Sequence, residues 1–242
     1  MATITATETE TMDATAALLE RAAQAHTKPL WLQMARLNPP KPNPRCEPHT
    51  WRYSQIRPSL LEAGDLVPES QAERRVLMLA NPAPGVDPPF TTDTLYAGLQ
   101  LVKTGETARA HRHTAFAVRF IIEGEGGFTA VQGQRVAMHP GDVIITPRWN
   151  WHDHGKEEEG VDTPGSGPMI WLDGLDLPCF QHLPVHFVEH FSAPRYPAED
   201  VDAAESPLVF PWSGMRARLD EAPGDWAELR YLKNDGSEGE LI

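Results

Sequence analysis

A chain of 242 residues, 40% hydrophobic and 23% charged, has ample material for one large domain or two small ones. Its formal net charge of −13 argues against general binding to nucleic acid or to an anionic membrane, but a local arginine can still hold a small anion. The two cysteines, Cys46 and Cys179, sit in unrelated contexts and form no CxxC pair, which argues against a disulfide framework or a zinc ribbon.

The opening "MATITATETETMDATAALLE" has neither a basic start nor an apolar centre, so it does not read as a signal peptide. No apolar run approaches the roughly 20 residues of a membrane helix. A cytoplasmic enzyme or binding protein is the expectation. From Asp13 to Leu37 apolar residues recur at helical spacing, and two short helices are predicted with a break near Thr27-Lys28-Pro29. "NPPKPNPRCEPHT" can be neither regular helix nor central strand and reads as an extended arm. A further short helix is expected from Pro58 to Gly64, then a strand in "AERRVLMLANPAP".

The texture changes at about Thr92. "TLYAGLQLV", "FAVRFIIEG", "GFTAVQG", "QRVAMHPGD", "VIITP" and "PMIWLDGL" are short β-rich runs broken by Gly, Pro or Asp, the pattern of a sandwich or barrel. After Gln181 come one strand ("VHFVEHF"), one short helix ("WSGMRARLDE") and a polar end, "KNDGSEGELI", expected to be unpacked.

Chemistry concentrates in two H-x-H pairs. His111 and His113 open "HRHTAFAVRF", and His152 and His154 lie in "TPRWNWHDHG". Alternate residues of a strand share a face, so each pair points one way, and Arg119 has the same parity if the first run continues without a bulge. Neutral imidazoles suit first-row divalent ions, and an arginine beside them could hold an anion. One such pair is most simply a surface or hydrogen-bonded core feature. Two in one β-domain favour a shared site.

Gly105 precedes the first pair in the pattern G-x5-H-x-H, and Gly141 and Pro147 precede His152 in the pattern G-x5-P. This resembles the two motifs of the cupin superfamily, whose fold is an all-β double-stranded β-helix, or jelly-roll barrel. The resemblance implies that His111, His113 and His152 bind a metal. It also has two departures. The glutamate usual after H-x-H is absent, Ala117 and Val118 taking those places, and Trp149 stands where a glycine is usual two residues after the proline. Three neutral imidazoles leave a divalent ion its full charge and three open octahedral positions, which suits an ortho-hydroxy carboxylate and dioxygen.

The run from "AHRHTAFAVRF" through "HPGDVIITPRWNWHDHG" to "IWLDGLDLP" is similar, more narrowly, to the gentisate 1,2-dioxygenase family, which includes salicylate and 1-hydroxy-2-naphthoate enzymes. Similarity extends from about Trp31 to about Tyr231. The resemblance implies Fe(II) on the three histidines, a small aromatic hydroxy acid and O2 as substrates, and cleavage of gentisate to maleylpyruvate. It assigns Arg119 to the substrate carboxylate and His154 to substrate or dioxygen. Arg75, Tyr96, Gly98 and Asp173 take pocket positions, and a homo-oligomer is expected. The tryptophans Trp149, Trp151 and Trp171 are expected to pack, Trp149 being the one that could wall the site.

The implied layout is an N-terminal helical and extended arm over residues 1–85, a metal-binding cupin barrel over 86–182, and a linker and tail over 183–242. The family carries two barrels. An eight-stranded jelly roll needs on the order of 80–100 residues, and too few follow Tyr231 for a second. A single-barrel, shortened chain is therefore expected. Other readings are a salicylate or 1-hydroxy-2-naphthoate dioxygenase, a cupin that keeps metal but not catalysis, or a zinc or manganese isomerase or sugar-binding cupin, which the absent glutamate disfavours.

Overall fold

A computed structural model describes residues 6–86, 90–157, 167–224 and 226–230, with side chains from residue 11 onward. The polar end after Arg230 lies outside the described residues. The chain divides into two compact units, Met1–Pro44 and Arg45–Ile242. The first holds helix α1 (Ala6–Gln24), a 3-10 turn (Leu30–Leu32) and helix α2 (Met34–Leu37), with the break where Thr27-Lys28-Pro29 interrupts the periodicity. Among the described residues no helix is long and apolar enough to cross a membrane.

The second unit is built on two six-stranded sheets. One contains, in spatial order, β1 (Val76–Met78), β2 (Tyr96–Val102), β9 (Met169–Leu175), β4 (Ala117–Glu123), β7 (Val143–Thr146) and β12 (Val209–Phe210). The other contains β10 (Val188–His190), β3 (Thr107–His113), β8 (His152–Lys156), β5 (Gly127–Val131), β6 (Gln134–Met138) and β11 (Glu199–Asp200). Both sheets recruit segments from outside the 86–182 span, Val76–Met78 before it and three short strands after it.

The strand period of two explains how one interior serves two purposes. On β9, Met169 and Trp171 join the apolar core at one end of the barrel, while Asp173 and Leu175 on the same face line a cavity at the other. The same division runs along β4, from Ile121 in the core to Arg119 and Ala117 in the cavity, and along β2, from Val102 to Gln100 and Tyr96. The first sheet is covered on its outer face too. Leu60 of helix α3 (Tyr53–Leu66) is fully buried with Leu99, Leu101 and Ile170. That packing extends α3 on both sides of the predicted Pro58–Gly64 segment, so tertiary burial carries the helix through its internal proline.

The two motif glycines have a backbone reason. Gly105 and Gly141 adopt φ of +81° and +92°, which side chains with a Cβ rarely adopt. At Gly141 an added Cβ would also stand 2.5 Å from the Trp212 ring. Trp212 opens a later helix (Trp212–Glu221), and its backbone N–H donates to the buried Asp142 at 2.8 Å.

Candidate metal centre

The segment "HRHTAFAVRF" is not one strand. It turns at Thr114–Phe116, so β3 carries His111 and His113 in one sheet and β4 carries Arg119 in the other. The shared-parity argument for Arg119 therefore does not apply. Arg119 reaches the cavity because β4 faces β3 across the barrel interior.

His111, His113 and His152 converge, their potential ligand atoms all within 4.8 Å of one another. His111 and His152 are direct cross-strand partners on β3 and β8, with ring centroids 4.1 Å apart. Each Nδ1–H donates to a backbone carbonyl two residues away: His111 to Arg109 at 2.9 Å, His113 to Ala115 at 2.8 Å and His152 to Asn150 at 2.9 Å. These bonds fix the tautomer and leave each Nε2 as the free donor atom for a metal. The Nε2 of His152 is buried without a protein partner. Burial pushes His113 down to about 4 and His111 to about 2, the positive Arg74 nearby adding to the His111 shift. The imidazoles are thus neutral at physiological pH, the state a metal ligand needs. Tautomer, charge and convergence all fit a divalent metal ion.

The cavity beside them has a volume of about 180 Å³. His154, Arg119, Tyr96 and Asp173 line it. His154 is buried, and burial drives its pKa well below the ordinary value. Its Nδ1 lies 2.7 Å from the hydroxyl of Thr129, which itself donates to the Asp153 carbonyl at 3.3 Å. A hydroxyl has one proton to give, so Thr129 accepts from Nδ1–H and Nε2 of His154 is left as a proton acceptor. Arg119 donates to Thr146 at 2.5 Å. Its Nε lies 3.1 Å from Asp173 Oδ1, but the two are not aligned for a hydrogen bond. Burial raises the Asp173 carboxyl, with the Arg119 charge and the Trp171 indole N–H opposing it. Burial and Asp173 raise Tyr96 to about 12, which keeps it a neutral phenol.

Two expected pocket residues sit elsewhere. Arg75 forms a two-pronged pair with Glu106 at 2.8 and 2.7 Å and donates to the Val67 carbonyl at 2.9 Å, with no place in the cavity wall. Its neighbour Arg74 lines the cavity with a buried Nε that has no partner. Strand parity gives the reason, because Arg74 shares a face with Val76 of β1, another cavity residue, and Arg75 does not. Gly98 shares the face of Tyr96 and Gln100 on β2, but the side chains of Val76 and Tyr96 close over it. A Cβ there would stand 2.6 Å from Val76 and 2.9 Å from the Tyr96 hydroxyl, so glycine leaves room for both. Trp149 and Trp151 are outside the wall, and Trp171 packs in the core 5.7 Å from His154.

Arg74, Gln100 and His186 are additions to the site. Gln100 was missed from the sequence, although its period-two relation to Tyr96 and Gly98 is a signal that points to it. His186 lies in the predicted linker, 3.0 Å from the Thr114 hydroxyl, and only the fold brings it to the cavity.

Comparison with known proteins agrees with this geometry. A Cupin domain family model matches residues 98–173. A gentisate 1,2-dioxygenase from Ralstonia sp is 43% identical over 161 residues, which are 66% of this chain and 43% of that protein. A 1-hydroxy-2-naphthoate 1,2-dioxygenase from Nocardioides sp. (strain KP7) is 33% identical, covering 87% of this chain and 60% of its own length. The crystal structure of a salicylate 1,2-dioxygenase from Pseudaminobacter salicylatoxidans is 31% identical with a TM-score of 0.77, covering 91% of this chain and 71% of that one. The chain thus spans less than half of the gentisate relatives' length. Sequence, fold and a three-histidine centre place the chain in the gentisate 1,2-dioxygenase family of cupins.

Proposed function

We propose that the chain is an Fe(II)-dependent ring-cleaving dioxygenase that opens gentisate between its carboxyl- and hydroxyl-bearing carbons to maleylpyruvate. The observation that carries the reading is the three-imidazole centre opening onto a cavity with two arginines, Arg74 and Arg119. Ferrous ion held by His111, His113 and His152 would supply the redox chemistry and coordination positions for the hydroxy acid and dioxygen. Arg119 and Arg74 attract the substrate carboxylate in a buried setting where charge is poorly screened. Their unpartnered Nε groups and the Nε2 of Gln100 are donors without acceptors in the protein. His154, neutral and with Nε2 free, accepts the phenolic proton. Asp173 balances Arg119 and keeps its guanidinium turned toward the interior.

Size supports a single-ring substrate. The cavity of about 180 Å³ is close to the ~150 Å³ that accommodates benzene in an engineered protein cavity. A salicylate-type acid is the second reading, favoured by the extent of the match to the salicylate enzyme. The test is oxygen uptake by the purified chain, loaded with Fe(II) without air and then given gentisate, with His111→Ala as control. Uptake matched by ring-opened product and lost in the variant supports the proposal. Uptake only with salicylate moves the assignment to the second reading. Bound iron with no turnover of gentisate, salicylate or 1-hydroxy-2-naphthoate sinks both and leaves a metal-binding cupin.

A further inference from the structure

Between the two ligand histidines of β3, Arg112 points away from the cavity. Its guanidinium carbon lies 4.5 Å from the ring centroid of Trp149 and 4.5 Å from that of Trp151. It also donates two hydrogen bonds, of 2.9 and 2.6 Å, to Glu189, its cross-strand partner on β10. The two tryptophans flank Asn150, whose carbonyl orients His152. One side chain therefore joins the strand that bears His111 and His113 to the turn that delivers His152.

The backbone gives a reason for such a joint. The β3–β8 ladder shifts register between Ala108 and His111, so the His111–His152 pair is offset from the regular pairing that precedes it. Trp149 adopts φ of +62°, in the left-handed region where a bulky side chain is an outlier. It stands where the cupin pattern usually has glycine, and that conformation persists only where its surroundings hold it. Here its N–H donates to the His113 carbonyl at 2.9 Å and its ring packs on Phe187 at 4.5 Å, with Arg112 above it. Trp151 is held in turn by Phe191 at 5.1 Å and Tyr196 at 5.9 Å. A planar guanidinium can stack between two rings while its edge binds a carboxylate, which an ammonium cannot do.

We propose that Arg112, clamped between Trp149 and Trp151, is a positioning residue for the metal centre. The clasp sits outside the barrel and sets the distance from His111 and His113 to His152. It rests on the reading of these three histidines as metal ligands.

The test uses Co(II) as a spectroscopic probe on the full chain, with affinity measured by competition against a chromophoric chelator. Arg112→Ala and Trp149→Gly are expected to weaken binding about 10–100-fold, the range typical of groups that orient ligands, and to shift the visible ligand-field bands. Arg112→Lys, which keeps the charge but not the plane, is expected to recover only part of the affinity. Arg216→Ala, on the remote helix Trp212–Glu221, serves as the control with wild-type binding. If Arg112→Ala does not fold, Arg112→Lys and Trp149→Gly decide. Wild-type affinity and an unshifted spectrum in the folded variants overturn the clasp alone. Wild-type protein binding Co(II) no better than His111→Ala overturns the metal centre, and the clasp with it.

Discussion

Arg119 and Asp173 face each other directly across β4 and β9, with Arg119 Nε 3.1 Å from Asp173 Oδ1 and both side chains nearly sealed from solvent. Breaking such a pair from one side leaves an uncompensated buried charge, at a typical cost of about 3–5 kcal/mol. Arg119→Met is therefore expected to destabilise the chain by that order in urea unfolding. Asp173→Asn, which keeps the shape and the Trp171 contact, should cost less. In turnover assays Arg119→Met should raise KM for the aromatic acid. An unchanged KM in a folded variant would remove Arg119 from carboxylate binding.

The adjacent arginines separate stability from binding. Arg75→Ala strips Glu106 of its two-pronged partner and should lower stability while leaving KM near wild type. Arg74→Ala removes a cavity donor and should raise KM about tenfold with little change in unfolding midpoint. The reverse pattern would restore Arg75 to the pocket.

Gly98→Ala tests the wall behind the ring. The new methyl meets Val76 and Tyr96, both cavity residues, at distances that force one to move. We expect an altered preference among ring-substituted hydroxy acids, read as a change in the ratio of kcat/KM values of about 10-fold or more. A uniform change for every substrate would point to general misfolding instead.

His154→Gln separates proton transfer from metal binding. Fe(II) affinity should stay close to wild type while kcat falls by about 10²–10⁴, the usual range for a positioned acid–base group. Loss of metal together with activity would make His154 structural.

Acid should unfold the metal-free chain early. His113 is held at about 4, against about 6.5 in an unfolded chain. Between those values the unfolded state binds more protons, so stability rises with pH. The contribution is complete above pH 6.5 and is lost as pH falls to about 4, amounting to about 3 kcal/mol for His113 alone. His111 extends the same loss toward pH 2. Urea unfolding at pH 7.0, 5.5 and 4.5 checks this, and a stability independent of pH over that range would contradict the buried, neutral state of the histidines.

Much of the centre was legible because its signals are local. The H-x-H pairs report strand alternation, and Gly105 and Gly141 report turns with positive φ that only short-range sterics demand. The family resemblance also placed His154, Tyr96 and Asp173 at the cavity. The resemblance pointed to Arg75 in the "RR" of "AERRVL", whereas alternation says only that one arginine faces in, not which. The barrel resolved it as Arg74, through the pairing of β1 with β2.

By itself the sequence determined the ligand types, their spacing and the β-rich class, since these depend on residue identity and a period of two. Only the tertiary structure decided that "HRHTAFAVRF" turns and splits between two sheets, because chain reversal there relieves no pattern visible in one dimension. It also decided that His186, from beyond the predicted barrel, reaches the cavity, and that Arg112 stacks between tryptophans nearly 40 residues away. Such contacts join strands remote in sequence. They follow from sheet pairing and close packing, which residue order does not spell out.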